Sequence, residues 1–465
     1  MRSLSVTVAA LGAALAAVDA SLAQGWVQLT AQSANIGPIA CSADGSKLLL
    51  AGGYLFNLYG GGDVLYVSHD SGATWMAAAV PTGGWHAVAS SADGTVLMAT
   101  ETGSRAVYIS TDAGTNWSRA ALPVALWQGV ACSANGAVLY ATASRTANGS
   151  LEGVYASADG GATWSQAGVP PATSNGDWGP VACSADGTRV MAGEGAHVWI
   201  STDSGVNLRL AFTLDPPYWY DSDQFVCASL ACSADGRKVA VGAQSLGGYV
   251  YSQVAVATSA DSGGRWAWSP GTIPSNALYW CACEGCGYWL AVCVSADGGR
   301  LAGAGYGGGP GPAGALPIGP VLMSEDSGAS WFVPPGVADR FSWPDVPPGT
   351  SNSVASWTGL ALSADGSRLT GVFMDGECCG SWSAGVVAQQ VDLAPVIDIG
   401  VSAGQLVVSW VVPSAHFALQ QSSDIGAASW TNVAAAPVLN YSTLREEVIV
   451  PSSGQQMFYR LVSRP

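Results

Sequence analysis

The sequence predicts an all-β chain built from one repeated hairpin unit. Three observations predict it. The spelling Ser-x-Asp-x-Gly-x-x-Trp occurs at Ser68–Trp75, Ser110–Trp117, Ser157–Trp164, Ser259–Trp266 and Ser324–Trp331, and a worn copy, Ser201–Leu208, has lost its Trp. A second spelling, Ser-Ala-Asp/Asn-Gly between apolar runs, starts at Ser42, Ser91, Ser133, Ser184, Ser233, Ser295 and Ser363. With 60 glycines and only 10% charged residues, the chain favours many short strands over solvated helices, and no helical periodicity is sustained.

The chain begins with Met1-Arg2, an apolar run from Leu4 to Val18 and the small-residue end Ser21-Leu22-Ala23. That is the form of a secretory signal peptide (residues 1–23), with cleavage expected after Ala23. The run is shorter than a membrane span and no later run reaches that length. A secreted, periplasmic or cell-surface protein without a membrane span is therefore expected. The formal charge of −16 repels phosphate backbones, which argues against nucleic acid as a partner. Much of the acidity is turn chemistry, since six aspartates belong to the Trp-bearing spelling and six to the Ala-Asp-Gly spelling.

Both spellings read as hairpin corners. Asp-Gly or Asn-Gly between apolar runs is a strong short-range hairpin signal. In the longer spelling, Ser and Asp side chains bond nearby backbone amides and Gly supplies a positive φ. The Trp opens the next strand and anchors the corner to a core. The structural residues so marked are Asp70, Trp75, Asp112, Trp117, Asp159, Trp164, Asp203, Asp261, Trp266, Asp326 and Trp331. Each unit reads strand A, Ala-Asp-Gly turn, strand B, loop, strand C, Asp corner, strand D. Units repeat at 42 to 68 residues, the length of a propeller blade.

This spelling resembles the Asp-box (BNR) repeat of sialidase-like β-propellers, over about residues 25–391. The resemblance implies a propeller fold. It says little of activity, because hydrolases, receptors and assembly factors share the box. Seven A–B turns stand against six boxes. The last unit, from Trp357 through Ala384–Val391, lacks a fourth strand, whereas Gly25–Leu29 looks like a D strand without a box. Pairing the two removes both free sheet edges. The expectation is a seven-bladed propeller over 24–391, closed by its N-terminal strand. Residues 392–465 abandon the repeat and are expected to form a small β-sandwich-like module, resembling those appended to secreted bacterial proteins.

Antiparallel strands place the A–B turns and Asp boxes on one rim, and the B–C and D–A loops on the other. The boxed rim is uniform and structural. The other is irregular, where binding usually lies. Its long loops carry Tyr218, Trp219, Tyr220, Trp280, Phe341 and Trp343, with Trp289 at the start of an inner strand. Aromatic faces among carboxylates suit a sugar: rings stack on C–H faces and acids accept hydroxyl hydrogens. Six residues before each Ser-Ala-Asp-Gly stand Ile36, Trp85, Trp127, Trp178, Cys227, Trp289 and Trp357, suited either to line the channel mouth or to pack between blades.

Sialidase chemistry finds little support. Arg189, Arg300 and Arg368 share one position after the Asp-Gly turn and Arg237 sits beside it, all on the structural rim; Arg105, Arg145, Arg209 and Arg340 are candidates for the loop rim. Other glycoside hydrolysis needs two facing carboxylates. Asp221, Asp223, Asp345 and Asp375 are the weak catalytic candidates, in a loop-rim set that also holds Glu101, Glu152, Asp177, Glu194, Asp215 and Glu377. Cys41, Cys132, Cys183 and Cys232 repeat one strand position and read as small buried thiols. Cys281, Cys283, Cys286, Cys378 and Cys379 fall in loop insertions of an exported chain, where disulfides are favoured over a metal. No cofactor or metal is expected. The reading is an exported binding or scaffold protein, expected as a monomer, that recognises a glycan or an extracellular protein through its long-loop face. The alternative is a glycoside hydrolase on the same face.

Overall fold

Seven Ala residues, one from each Ser-Ala-Asp/Asn-Gly turn, join hands through their backbones. Ala43 donates its N–H to Ala92 O at 2.8 Å, Ala92 to Ala134 O at 2.9 Å, and Ala134 to Ala185 O at 2.8 Å. Ala185 then donates to Ala234 O at 2.7 Å, Ala234 to Ala296 O at 2.8 Å, and Ala296 to Ala364 O at 2.6 Å. Ala364 returns to Ala43 O at 2.7 Å, and the cycle is closed.

The computed structural model describes residues 27–29, 36–52, 64–144, 153–168, 178–215, 225–245, 254–268, 290–305, 321–332, 354–376, 382–390, 397–402, 405–411, 417–424, 430–450 and 457–463. Among these, the elements are strands, and seven antiparallel sheets hang on the alanine cycle. Their inner strands are Ile36–Cys41, Trp85–Ser90, Leu126–Cys132, Trp178–Cys183, Phe225–Cys232, Leu290–Val294 and Val354–Leu362. Each packs beside the next, and the last packs beside the first. This is a β-propeller arrangement. Five of the sheets have the order A-B-C-D in sequence, as in Trp85–Ser90, Leu97–Glu101, Ala106–Ser110 and Ser118–Arg119. In the sixth, the described part of strand D is a bridge between Met323 and Phe332. The remaining sheet takes its fourth strand from the other end of the chain: Val27, Gln28 and Leu29 pair with Ala388, Val387 and Val386. Trp26 lies outside the described residues.

The corners are stapled as their residue types dictate. In the first box, Gly72 N donates to Ser68 Oγ at 2.8 Å, Ser68 Oγ to Asp70 Oδ1 at 2.8 Å, and Thr74 N to Asp70 Oδ1 at 2.8 Å. The box also bonds its own A–B turn: Ser71 N donates to Ser46 O at 2.7 Å, and Ser204 N to Thr188 O at 2.7 Å. Both corner types therefore share one rim. The box carries two successive left-handed residues rather than one, as Ser71 at φ 64° and Gly72 at φ 87° show. The first of the pair is Ser or Ala in five boxes, so composition hides it.

The corner Trp rings are half-buried, less than expected. Each packs backward onto the core before its own blade-like sheet, Trp117 against Leu65, Val67 and Leu97 and their neighbours, Trp164 against the next such cluster. Four of them donate Nε1 to the box glycine carbonyl, as Trp117 does to Gly114 O at 3.0 Å. In the worn copy Leu208 takes the Trp site and is buried. Residue five after each turn Ser extends its side chain over the glycine of the next turn: Lys47 over Gly94, Arg189 over Gly236 and Arg368 over Gly45. Arg189, Arg300 and Arg368 thus serve the turn rim, as expected.

Residues after 397 form two further sheets, one of Asp398–Ser402, Gln405–Val411, Arg445–Val450 and Val438–Asn440, the other of Thr431–Asn432, Phe417–Ser422 and Phe458–Ser463. They enclose a core of their own around Val408, Trp410, Leu419, Val448 and Val450.

Candidate functional site

Six of the inner strands carry the same irregularity. Pairing with strand B slips between Trp85 and Val88, Trp127 and Gly129, Trp178 and Val181, Cys227 and Ser229, Trp357 and Gly359, and Ile36 and Ile39. A β-bulge re-aims side chains. Beside Trp85 and Trp127 it sets the following residue, His86 or Gln128, on the wall of a cavity at the axis and leaves the Trp itself in the core. Trp85 and Trp357 are fully buried, Trp127 and Trp178 nearly so, each inside a cluster between adjacent sheets. Of the two roles open to the repeated Trp, packing is the one observed for these four.

The bulges line an open cavity of about 340 Å³ near the loop-rim end of the inner strands. Pro38, His86, Gln128, Pro180, Cys227 and Gln244 form its walls, with Ala87, Val88, Gly129, Val130, Gly179, Val181 and Ala228 between them. That volume is in the range of small-ligand sites. None of these side chains is a carboxylate, lysine or arginine. His86 lies with Nδ1 3.0 Å from Gln128 O, and burial pushes its pKa below the usual imidazole value. At neutral pH the wall is therefore uncharged, offering two amides, an imidazole and backbone groups. In the sequence His86 and Gln128 stand one position after the repeated Trp, and nothing in their residue types marks them as channel-facing, because the bulge that turns them there is not visible in the spelling.

The bulged backbone is held by hydroxyls from strand B. Thr142 Oγ1 donates to Gly179 O of the next sheet at 2.5 Å, and Ala87 N donates to Thr100 Oγ1 at 2.9 Å. Gly129 is required here, because a Cβ would stand 2.8 Å from Gly179 O.

Two described carboxylates sit at the loop-rim ends of B strands, both almost fully buried. Glu101 accepts from Gly103 N at 2.7 Å and from Ser104 N, so it fastens its own B–C turn. Glu194 accepts Trp199 Nε1 at 2.9 Å, while its Oε1 has no partner among the described residues. They belong to non-adjacent sheets, and each serves its own. Arg105 is exposed on the loop rim, but Arg209 is not there: it follows a box and donates Nη2 to Ser262 O on the turn rim at 3.3 Å. The remaining expected site residues, Tyr218, Trp219, Tyr220, Asp221, Asp223, Trp280, Trp289, Phe341, Trp343 and Asp345, lie outside the described residues, as do Arg145, Glu152, Asp177, Arg340 and Glu377. Asp375 is placed only as backbone in Arg368–Gly376.

Cys41, Cys132, Cys183 and Cys232 are free thiols, each half-buried on its strand rather than fully buried as expected. Burial pushes Cys41 and Cys183 up to about 12 and raises Cys132 and Cys232 as well. Cys281, Cys283, Cys286, Cys378 and Cys379 lie outside the described residues. Among the described residues no cluster of metal-ligating side chains occurs, and no helix is long and apolar enough to cross a membrane.

No family model matches the chain, and no curated protein matches it. Solved structures do. The structure of U3-55K has a TM-score of 0.50 at 12% identity, over 79% of this chain and 99% of that one. YCF48 from Cyanidioschyzon merolae reaches 0.49 at 15% identity, over 79% and 98%. A GH74 xyloglucanase from Xanthomonas campestris reaches 0.42 at 13% identity, over 88% and 87%. The chain has a β-propeller fold. At such identities the likeness concerns fold alone.

Proposed function

We propose that this chain is an exported seven-bladed propeller, closed by its N-terminal strand over residues 24–391 and followed by a separate module over 392–465. It binds a glycan or an extracellular protein at the loop-rim end of its central channel. The observation that carries this reading is the cavity of about 340 Å³ walled by His86, Gln128 and Gln244 and free of ionised side chains. Amides and a neutral imidazole exchange hydrogen bonds with hydroxyls without the desolvation cost of a buried charge. Prolines and small apolar residues between them accept C–H faces. A neutral sugar fits this chemistry better than a charged ligand does.

The test is an array of neutral and anionic oligosaccharides probed with the mature chain, run alongside an assay for new reducing ends. Binding to neutral glycans, weakened in Gln128→Ala and Gln244→Ala, is the expected result. Binding confined to anionic glycans would refute the neutral-site reading. Release of reducing ends would establish the hydrolase alternative.

A further inference from the structure

Ala134, Ala185 and Ala234 of the hydrogen-bonded cycle form a buried apolar cluster, and Ala92 and Ala296 pack against it. Among the described residues, the non-alanine hydrophobic side chain packed on this cluster is Leu444, from the far C-terminal sheets. We infer that the turn joining Val438–Asn440 to Arg445–Val450 is a plug: Leu444 seals the alanine-lined turn-rim mouth, so the channel is blind and its cavity is reached only from the loop rim.

Three further features fit a plug. Leu444 adopts φ 53°, a left-handed conformation that a branched side chain resists, and such outliers persist where the surroundings hold them. Tyr441, Ser442 and Thr443 of the same turn are exposed, so Leu444 alone is turned inward. The turn is braced from behind. Arg445 Nη2 meets Asp398 Oδ2 at 2.5 Å, and Arg445 Nε donates to Ser409 Oγ at 3.0 Å. Asn440 Oδ1 accepts from Ser442 N at 3.0 Å, and Asn440 Nδ2 donates to Glu447 Oε1 at 2.8 Å. A rigid turn presenting one apolar side chain to a ring of methyl groups is a fitted contact. All seven cycle positions being Ala leaves room at the mouth for that side chain.

The inference stands apart from what the cavity binds, and its test needs no ligand. In the full chain, Ala185→Cys places a thiol in the cycle. Labelling by a maleimide, located by peptide mass spectrometry, should be at least ten-fold faster at position 185 when Leu444→Asp is added. Equal rates in the two backgrounds would overturn the plug. Should Leu444→Asp fold poorly, Leu444→Gly decides. Glycine relieves the left-handed strain, so a raised Tm with unchanged labelling would mean that Leu444 contributes nothing by packing. A lowered Tm with faster labelling is the result the plug requires.

Discussion

Ala364 donates its backbone N–H to the carbonyl of Ala43 at 2.7 Å, closing a cycle of seven hydrogen bonds that runs through every Ser-Ala-Asp/Asn-Gly turn. The alanine is what allows it. A small side chain beside the Asp-Gly corner lets neighbouring turns approach until their backbones bond. This cycle fixes the turn rim, and the irregular loops are thereby gathered at the opposite end.

The first prediction concerns the corner Trp. Trp117 is half-buried against its cluster and donates to Gly114 O, so Trp117→Ala should cost about 3 kcal/mol in chemical denaturation, the usual scale for an aromatic deletion with some solvent access. A loss under about 0.5 kcal/mol, typical of surface changes, would contradict its anchoring role.

The second concerns acid. Hydrogen bonds hold the box carboxylates low: the Thr74 hydroxyl foremost at Asp70, the Thr163 hydroxyl at Asp159 and the Ser201 hydroxyl at Asp203, each taken from 3.8 to about 2. A depressed folded pKa gives stability that is complete above the unfolded value and is lost as pH falls through the folded one. Melting temperature should therefore be flat above about pH 4 on this account and drop between about pH 4 and 2. Asp159→Asn should lower stability at pH 7 and shrink the acid-dependent drop.

The third concerns the ring closure. The last sheet depends on Val27–Leu29 for its fourth strand. A chain starting after Leu29 exposes the edge of Trp382–Gln390, and unpaired edges recruit other chains. Size-exclusion chromatography and melting should show a destabilised, associating protein; an unchanged monomer would contradict the pairing.

The fourth concerns the thiols. With Cys41 and Cys183 pushed up to about 12, almost no thiolate exists at pH 8, and reactivity follows the thiolate. Folded protein treated with iodoacetamide should leave these two unlabelled by peptide mapping, and denaturant should expose both. Rapid labelling of the folded state would contradict the raised pKa of both thiols.

Much of this fold was legible in the primary structure because its corners are made of residues with one use each: Asp-Gly for the hairpin, Ser and Asp for the staple, Ser184 and Asp186 being one such pair. The pairing of the N-terminal strand followed from counting corners. What stayed hidden were features that residue types do not announce. A bulge after Trp85 and Trp127 swaps the side chain that faces the channel, so His86 and Gln128 rather than the Trp rings line it. A left-handed Ser71 or Ala113 carries no glycine to mark it. Leu444 looks like any apolar residue near a strand, and only the assembled fold sets it against the alanines.

The most direct test of the binding site is the affinity of the array-identified glycan, measured by calorimetry, for the wild-type chain and for Ala228→Phe, which fills the cavity from the fifth inner strand. The account predicts at least a ten-fold weaker association with an unaltered melting temperature. Equal affinity in a folded variant would contradict a ligand site at the channel.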